Sequence, residues 1–218
     1  LRVSGASLRC FEAPRLEEVV GALTINPPTL EQLVLSALIE VGGPFALTQT
    51  QLAALSLPAL ETAPSLQVTG APLRRVVAPW LGEVAGDVRV DAAGVTDFDM
   101  SGLTAVGGAL KVVVAADRWP DWSSLREVGA DLALTCGGAC AEAEGDELGA
   151  LEAVGGALKL EGSAAERLPA LPRLVQVGPL VLRDHPQARS WAGAPALRRS
   201  GDWALSDLPA LAQALVLP

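Results

Sequence analysis

The three cysteines are the residues whose spacing most directly suggests covalent chemistry. Cys136 and Cys140 lie in the segment Cys-Gly-Gly-Ala-Cys, whereas Cys10 is far from both along the chain. A separation of four residues allows a small disulfide between Cys136 and Cys140, and two ordinary thiols are the alternative. A disulfide would favour an oxidising compartment. A metal site is disfavoured because no Cys/His pair lies nearby to complete a ligand set.

Hydrolytic or metal-assisted chemistry has little support in the sequence. His185 is the only histidine and follows a predicted strand, a setting typical of a surface loop. A Ser/His/Asp arrangement would need a positioned nucleophile and an oxyanion hole, and no nucleophile-elbow motif is present. One acidic loop lacks the ordered ligand spacing of a calcium site, which favours plain solvated charge; it contains Glu142, Glu144, Asp146 and Glu147. We therefore expect neither an enzyme nor a bound metal or cofactor.

These residues are positioned by a ten-position pattern, Leu-x-x-Val-Gly-Gly-x-Leu-x-Leu, that recurs nine times along the chain. Successive anchor leucines are 22, 22, 21, 22, 22, 26, 23 and 23 residues apart. A period in this range is typical of stacked units in a solenoid. The nine anchors are Leu16, Leu38, Leu60, Leu81, Leu103, Leu125, Leu151, Leu174 and Leu197.

An apolar-x-apolar alternation follows the corner in every copy, as in Leu110/Val112 and Leu158/Leu160. This alternation is the pattern of a strand with one buried face. No copy can bury its apolar side alone, so strands of successive coils are expected to pair as parallel neighbours. The sequence thus predicts a mainly β fold, a β-solenoid of about nine coils of 21–26 residues with a parallel sheet. Residues Ser7 to Phe11 would supply the starting strand.

The repeat runs without a linker, which predicts a single domain over residues 1–218. The repeats occupy about residues 7–205, and residues 206–218 begin a coil that stays incomplete; its apolar positions are Leu208, Leu211, Leu215 and Leu217. An uncapped end exposes strand edges and apolar surface. We therefore expect this coil to meet a partner, a second copy of the chain or further chain.

Composition excludes some classes of partner. Hydrophobic residues make up 50% of the chain and charged residues 19%, which is enough apolar content for a continuous core. The formal net charge of −9 disfavours nucleic acid, because phosphate contacts need basic surface. No stretch approaches 18 uninterrupted apolar residues, so no transmembrane segment is predicted.

The alternation also predicts which side chains face outward from the sheet. A central outward column contains Arg89, Lys111 and Lys159, and the two lysines are the only ones in the chain. Carboxylates flank this column. Mutual neutralisation of cross-strand neighbours on a solvated face is one interpretation, and a polar recognition face is the other.

A second candidate contact lies where the segment Asp-Arg-Trp-Pro-Asp-Trp interrupts the pattern before the sixth anchor. Trp122 takes a position filled elsewhere by Leu or Met and is expected in the core, whereas Trp119 is less constrained. Trp191 falls at the same phase as Trp119. Because Trp and Arg are enriched at interaction hot spots, Arg118 with Trp119 is the best single-site candidate, with corner packing of Trp119 as the alternative.

The repeat resembles that of the receptor L domains, most clearly over 103–112, 125–134 and 151–160. That family includes ligand-binding domains of insulin-type and epidermal-growth-factor-type receptors, together with fungal cell-wall and bacterial surface proteins. The resemblance implies a right-handed solenoid, an extracellular setting and recognition through a sheet face or loops. Bacterial members usually carry Asn after the strand, and here only Asn26 does. The motif is structural, so it transfers no functional side chain.

These observations predict a non-enzymatic recognition or scaffold module of the cell surface, extracellular space or periplasm. Its partner would be a protein or a polysaccharide. One alternative is a structural or adhesive element that self-associates through its C-terminal coil. A polysaccharide-active β-helix enzyme is a second alternative, but it would need carboxylates gathered in a cleft, whereas the repeat scatters them.

Overall fold

The computed structural model of this chain describes residues 1–91, 93–116, 118–137, 140, 147–209 and 211. Strands and turns make up this described part. The strands wind into a β-solenoid of about nine turns, which confirms the predicted fold class. Within those residues, no helix has the length and apolarity needed to cross a bilayer. The incomplete coil predicted over 206–218 lies partly outside the described residues, including Leu215 and Leu217.

One parallel sheet of ten strands runs the length of the solenoid, and we call it the main sheet. Each turn contributes one strand, and adjacent strands pair without a break in register. The strands are β1 (Arg2–Val3), β4 (Leu23–Ile25), β7 (Phe45–Thr48), β9 (Leu66–Thr69), β12 (Val88–Asp91), β15 (Leu110–Val114), β17 (Leu132–Cys136), β19 (Leu158–Glu161), β21 (Leu180–Arg183) and β23 (Trp203–Ser206).

Two further sides of each turn carry shorter strands. A lateral side consists of β2 (Cys10–Glu12) with β5 (Gln32–Val34), then β8 (Ala54–Ser56), β10 (Arg75–Val77) and β13 (Asp97–Asp99), and later β20 (Arg167–Leu168) with β22 (Ser190–Trp191). A corner side, next to the anchors, consists of β3 (Glu18–Val19), β6 (Glu40–Val41), β11 (Glu83–Val84), β14 (Ala105–Val106), β16 (Glu127–Val128) and β18 (Ala153–Val154). Isolated bridges extend the corner side: Thr62 joins β6 to β11, and Gln176 and Arg199 follow β18. We call the resulting row of paired residues the corner ladder.

The anchor leucines share one interior, as the repeat predicts. Seven of the nine are 0% exposed, and Leu16 and Leu197 are half-buried at the two ends and pack against the same cluster. Trp122 is also fully buried, and its ring meets Phe98 edge-on at 6.0 Å between centroids. Burying a Leu or Val side chain contributes about 1.5–3 kcal/mol, so stacking of turns supplies the stability that no single turn has.

Aspartates tie successive corners together at two places. Asp87 Oδ1 accepts a hydrogen bond from the backbone N–H of Ala109 at 2.8 Å, and Asp131 Oδ1 accepts one from Ala157 at 2.9 Å. A Cβ added at Gly156 would collide with the same Asp131 oxygen. Glycine is thus required at that corner because the neighbouring turn's carboxylate occupies the space.

The starting strand differs from the prediction. The first strand of the main sheet is β1, where Arg2 pairs with Thr24 and Val3 with Ile25. Within Ser7 to Phe11, only Cys10 and Phe11 are in a strand, and that strand belongs to the lateral side. A two-residue strand is too short to show alternation in the sequence, which explains the error.

Candidate functional site

The outward side of the main sheet carries an in-register column that we call the main-face column. The register aligns the predicted residues one strand apart, from β4 to β23. Its members are Thr24, Ala46, Gln67, Arg89, Lys111, Ala133, Lys159, Val181 and Ala204. Most of these side chains are short, so the long cationic ones extend beyond their neighbours in the column.

Lys111 and Lys159 lie on either side of Ala133 in this column. Two strand spacings of about 4.8 Å separate the lysine backbones by roughly 10 Å. The methyl of Ala133 leaves open space between them, and both stems are long enough to bring their ammonium groups over it. Neither lysine has an ion pair within the described part of the chain. The pair can therefore approach one anionic group from two sides.

Arg89 occupies the next position in the column and is already engaged. Its Nη2 lies 3.1 Å from Asp91 Oδ2, with both side chains about half exposed. An exposed pair of this kind contributes only about 0–1 kcal/mol and exchanges readily with an external partner. A shallow depression of about 170 Å³ lies beside it, lined by Arg89, Lys111, Ala133 and Thr135 among others. The sequence-predicted Arg89, Lys111 and Lys159 are thus brought together on one face.

Trp119 is not on that face, and it is buried, as expected for the corner packing that the sequence left as the alternative. The side chain is 3% exposed, with its ring centroid 6.2 Å from that of His185. The long sixth interval folds back beside it: Cys140 N–H donates to the Ala116 carbonyl at 2.7 Å, and Trp122 N–H donates to the Glu147 carbonyl at 2.9 Å. Arg118 remains exposed at the surface beside the buried indole.

Trp191 is half-buried in β22, among the last described turns of the solenoid. Its Nε1–H donates to the Pro169 carbonyl at 3.1 Å, and its ring lies 6.1 Å from that of Trp203. The indole is therefore used to pack the last turns against one another. The contacts of Trp191 are with Pro169 and Trp203, and not with Arg118, Trp119, Lys111 or Lys159.

His185 is buried, which sequence reasoning missed when it assigned this residue to a surface loop. Its Nδ1 accepts hydrogen bonds from the Ser163 hydroxyl at 2.9 Å and the Ser163 N–H at 3.2 Å, and its Nε2–H donates to the Leu160 carbonyl at 2.9 Å. Burial lowers the pKa of the imidazole below 6.5, against the opposing effect of these bonds and of the charges on Asp184 and Glu161.

The Ser163–His185 pair resembles part of a catalytic arrangement but lacks its access. Both side chains are 1% exposed or less, so the hydroxyl is withdrawn from solvent. The imidazole N–H is oriented by a backbone carbonyl, where a triad has a carboxylate. The 22-residue separation of the two residues equals one repeat period, and this spacing is the sequence signal that could have located the pair.

The sixth interval carries the disulfide that the sequence allowed. Cys136 and Cys140 are bonded and 0% exposed, and Cys10 is a free, exposed thiol. Three acidic-loop residues, Glu142, Glu144 and Asp146, lie outside the described residues. In the described part of the chain, no group of three His, Cys, Asp or Glu side chains is arranged to hold a metal ion.

Comparisons with protein-family models, with curated proteins and with solved structures find no match to this chain. The resemblance to receptor L domains therefore stays a prediction from the repeat. The main-face column, with Arg89, Lys111 and Lys159, is the structural feature on which a proposal of function can be based.

Proposed function

We propose that this chain is a non-enzymatic recognition module that binds a protein or polysaccharide through its main-face column. Lys111 and Lys159 hold a carboxylate or sulfate group of the ligand over Ala133, and Arg89 extends the contact by one strand. The observation that carries the proposal is the in-register order Lys111, Ala133, Lys159 on three adjacent strands of the ten-stranded main sheet.

Positive charge at the middle of the main-face column is unusual for this acidic chain. The net charge is −9 and only two lysines are present, yet both stand two strands apart in one column. Two like charges next to each other on a sheet are destabilising. The small residue between them relieves that repulsion and leaves room for an anion. Backbone that is already paired within a sheet loses little conformational entropy on binding, which favours affinity.

We further propose an oxidising location, such as the cell surface, extracellular space or periplasm. The disulfide between Cys136 and Cys140 supports it, because such bonds persist mainly in oxidising compartments. Carboxylated and sulfated polysaccharides and acidic surface proteins are abundant in these places, so the ligand chemistry agrees with the compartment.

The test is a binding screen with a matched charge control. Wild-type protein is presented to polygalacturonate, heparin, an uncharged glucan and a panel of purified surface proteins at 150 mM NaCl. We expect an anionic ligand whose affinity falls at least tenfold in Lys111→Gln/Lys159→Gln. The control, Arg9→Gln/Arg189→Gln, also removes two exposed cations, both next to the lateral strands, and its affinity should stay within twofold of wild type. Equal weakening by both variants, or binding only to uncharged ligands, would overturn the proposal.

Self-association is a second candidate function, favoured by the edge of the main sheet. Within the residues that the structure describes, β23 lies at one edge of the main sheet and pairs only with β21, and Leu205 is 38% exposed there. An unpaired strand edge with apolar side chains is a template for pairing with another strand. Multi-angle light scattering between 5 and about 500 μM would show a concentration-dependent mass, and Leu205→Lys would abolish it. A constant monomer mass would exclude this candidate.

A further inference from the structure

We infer that the corner side carries a second docking surface, for a cationic peptide with basic residues three positions apart. The surface is a groove of about 490 Å³ that spans several turns; we call it the corner groove and define it by Glu40, Thr62, Ala63, Pro64 and Glu83. It lies on a different side from the main-face column and has the opposite charge. A test of the corner groove therefore does not depend on the proposed function.

The corner groove results from a local change in the repeat. The third copy is one residue shorter than its neighbours, with Leu60 and Leu81 separated by 21 residues. Thr62 stands where the adjacent turns have Glu40 and Glu83, and Ala63 stands where they have Val. Smaller side chains and a shortened turn lower the surface between two carboxylates. Small and apolar groups form its floor.

Glu40 and Glu83 border the groove on either side of Thr62 in the corner ladder. Two strand spacings place their backbones roughly 10 Å apart. Both side chains are exposed, and neither has an ion pair within residues the structure describes. Two carboxylates facing one groove of apolar floor favour a ligand that brings positive charge to both.

An exposed tryptophan in the same turn as Glu83 is the second, independent observation. Trp80 is 69% exposed, the most exposed aromatic side chain among the described residues. It precedes the anchor Leu81 and stands three residues before Glu83. Most other turns have Ala, Gly or Ser directly before the anchor, as at Ala59 and Gly102. Packing does not require a large ring at this position, whereas an exposed indole attracts Lys and Arg side chains through cation–π contact.

The spacing of the carboxylates selects a ligand conformation. A polyproline II peptide repeats every three residues and rises about 3.1 Å per residue, so residues i and i+3 share one side about 9.3 Å apart. This distance matches the roughly 10 Å between Glu40 and Glu83. Adjacent basic residues in such a peptide point to different sides. The groove therefore favours Lys-x-x-Lys over Lys-Lys at equal charge.

Two labelled peptides of identical composition separate shape from charge. Fluorescence anisotropy at 150 mM NaCl compares Pro-Lys-Pro-Pro-Lys-Pro with Pro-Pro-Lys-Lys-Pro-Pro. We expect the first to bind at least fivefold more tightly. Glu40→Gln and Glu83→Gln should each weaken it at least fivefold, and Trp80→Ala about fivefold. Glu127→Gln makes the same charge change in the same ladder outside the groove, and should change affinity less than twofold.

Three results would overturn the inference: no binding of the first peptide up to 1 mM, equal affinity for the two peptides, or equal weakening by Glu127→Gln. All four substituted side chains are exposed, so the variants should keep the wild-type melting temperature. Equal melting temperatures would show that a loss of peptide binding comes from the changed groove and not from unfolding.

Discussion

The hydroxyl of Ser163 donates a hydrogen bond to Nδ1 of His185 at 2.9 Å, one repeat period away in sequence and directly adjacent in the stack. The Ser163 N–H donates to the same nitrogen. Protonating Nδ1 would place a third hydrogen against these two donors, in a site without solvent. The neutral imidazole is therefore part of the packing between the two turns.

This arrangement predicts acid sensitivity. The folded-state pKa of His185 is lowered by burial, while the unfolded value is about 6.5. Between these two values the unfolded chain binds more protons, so the contribution to stability is full above about pH 6.5 and is lost as pH falls through the folded pKa. Urea unfolding at pH 7.5 and 5.5 should show this loss.

His185→Gln provides the matched comparison. At pH 7.5 it should be less stable than wild type by about 1–3 kcal/mol, because buried partners lose their hydrogen bonds. Between pH 7.5 and 5.5 its stability should fall less than that of wild type. Parallel pH profiles for the two proteins would contradict this prediction, because they would mean that the pKa of His185 is the same in the folded and unfolded states.

The disulfide should stabilise the sixth interval modestly. Closing a loop of about five residues contributes about 2 kcal/mol in the chain-entropy model. Cys136→Ser/Cys140→Ser should therefore unfold at lower urea concentration with an unchanged m-value. Cys10→Ser, which removes the exposed thiol, should not change the midpoint.

Thiol counting gives a direct check on the oxidised state. Unreduced protein in denaturant should show one reactive thiol, from Cys10, and reduction should raise the count to three. Three reactive thiols before reduction would contradict the disulfide and remove the support for an oxidising compartment.

Corner glycines should differ sharply in their tolerance of a methyl group. Gly156→Ala would press its Cβ onto Asp131 Oδ1 and onto the Asp131 amide nitrogen, so we expect a loss of about 1–3 kcal/mol. Gly21→Ala is the matched control, because no heavy atom lies within 4 Å of its added Cβ. Thermal unfolding of both variants measures the difference, and equal effects would contradict the corner geometry.

The periodic part of the structure was predictable from sequence because it depends on local spacing. Alternation around Lys111 and Lys159 identified the outward column, and the anchors identified the shared core. The buried state of His185 was not predictable in this way, since Asp184 turns the chain with a left-handed φ of 59° and the partner serine is in another turn. The choice between contact and corner packing for Trp119 stayed open for a similar reason: the residues that fold back beside it, Cys140 and Glu147, belong to the sixth interval.

In a continuous main sheet, the distance between two main-face residues increases in proportion to the number of strands that separate them. Spin labels at Thr24 paired with Lys111, Lys159 or Ala204, in a Cys10→Ser background, span four, six and eight strands. Double electron–electron resonance should give backbone-referenced separations of about 19, 29 and 38 Å, rising linearly with strand number. Distances that do not increase in proportion to strand number would contradict the continuous sheet, and with it the paired lysines on which the proposed recognition depends.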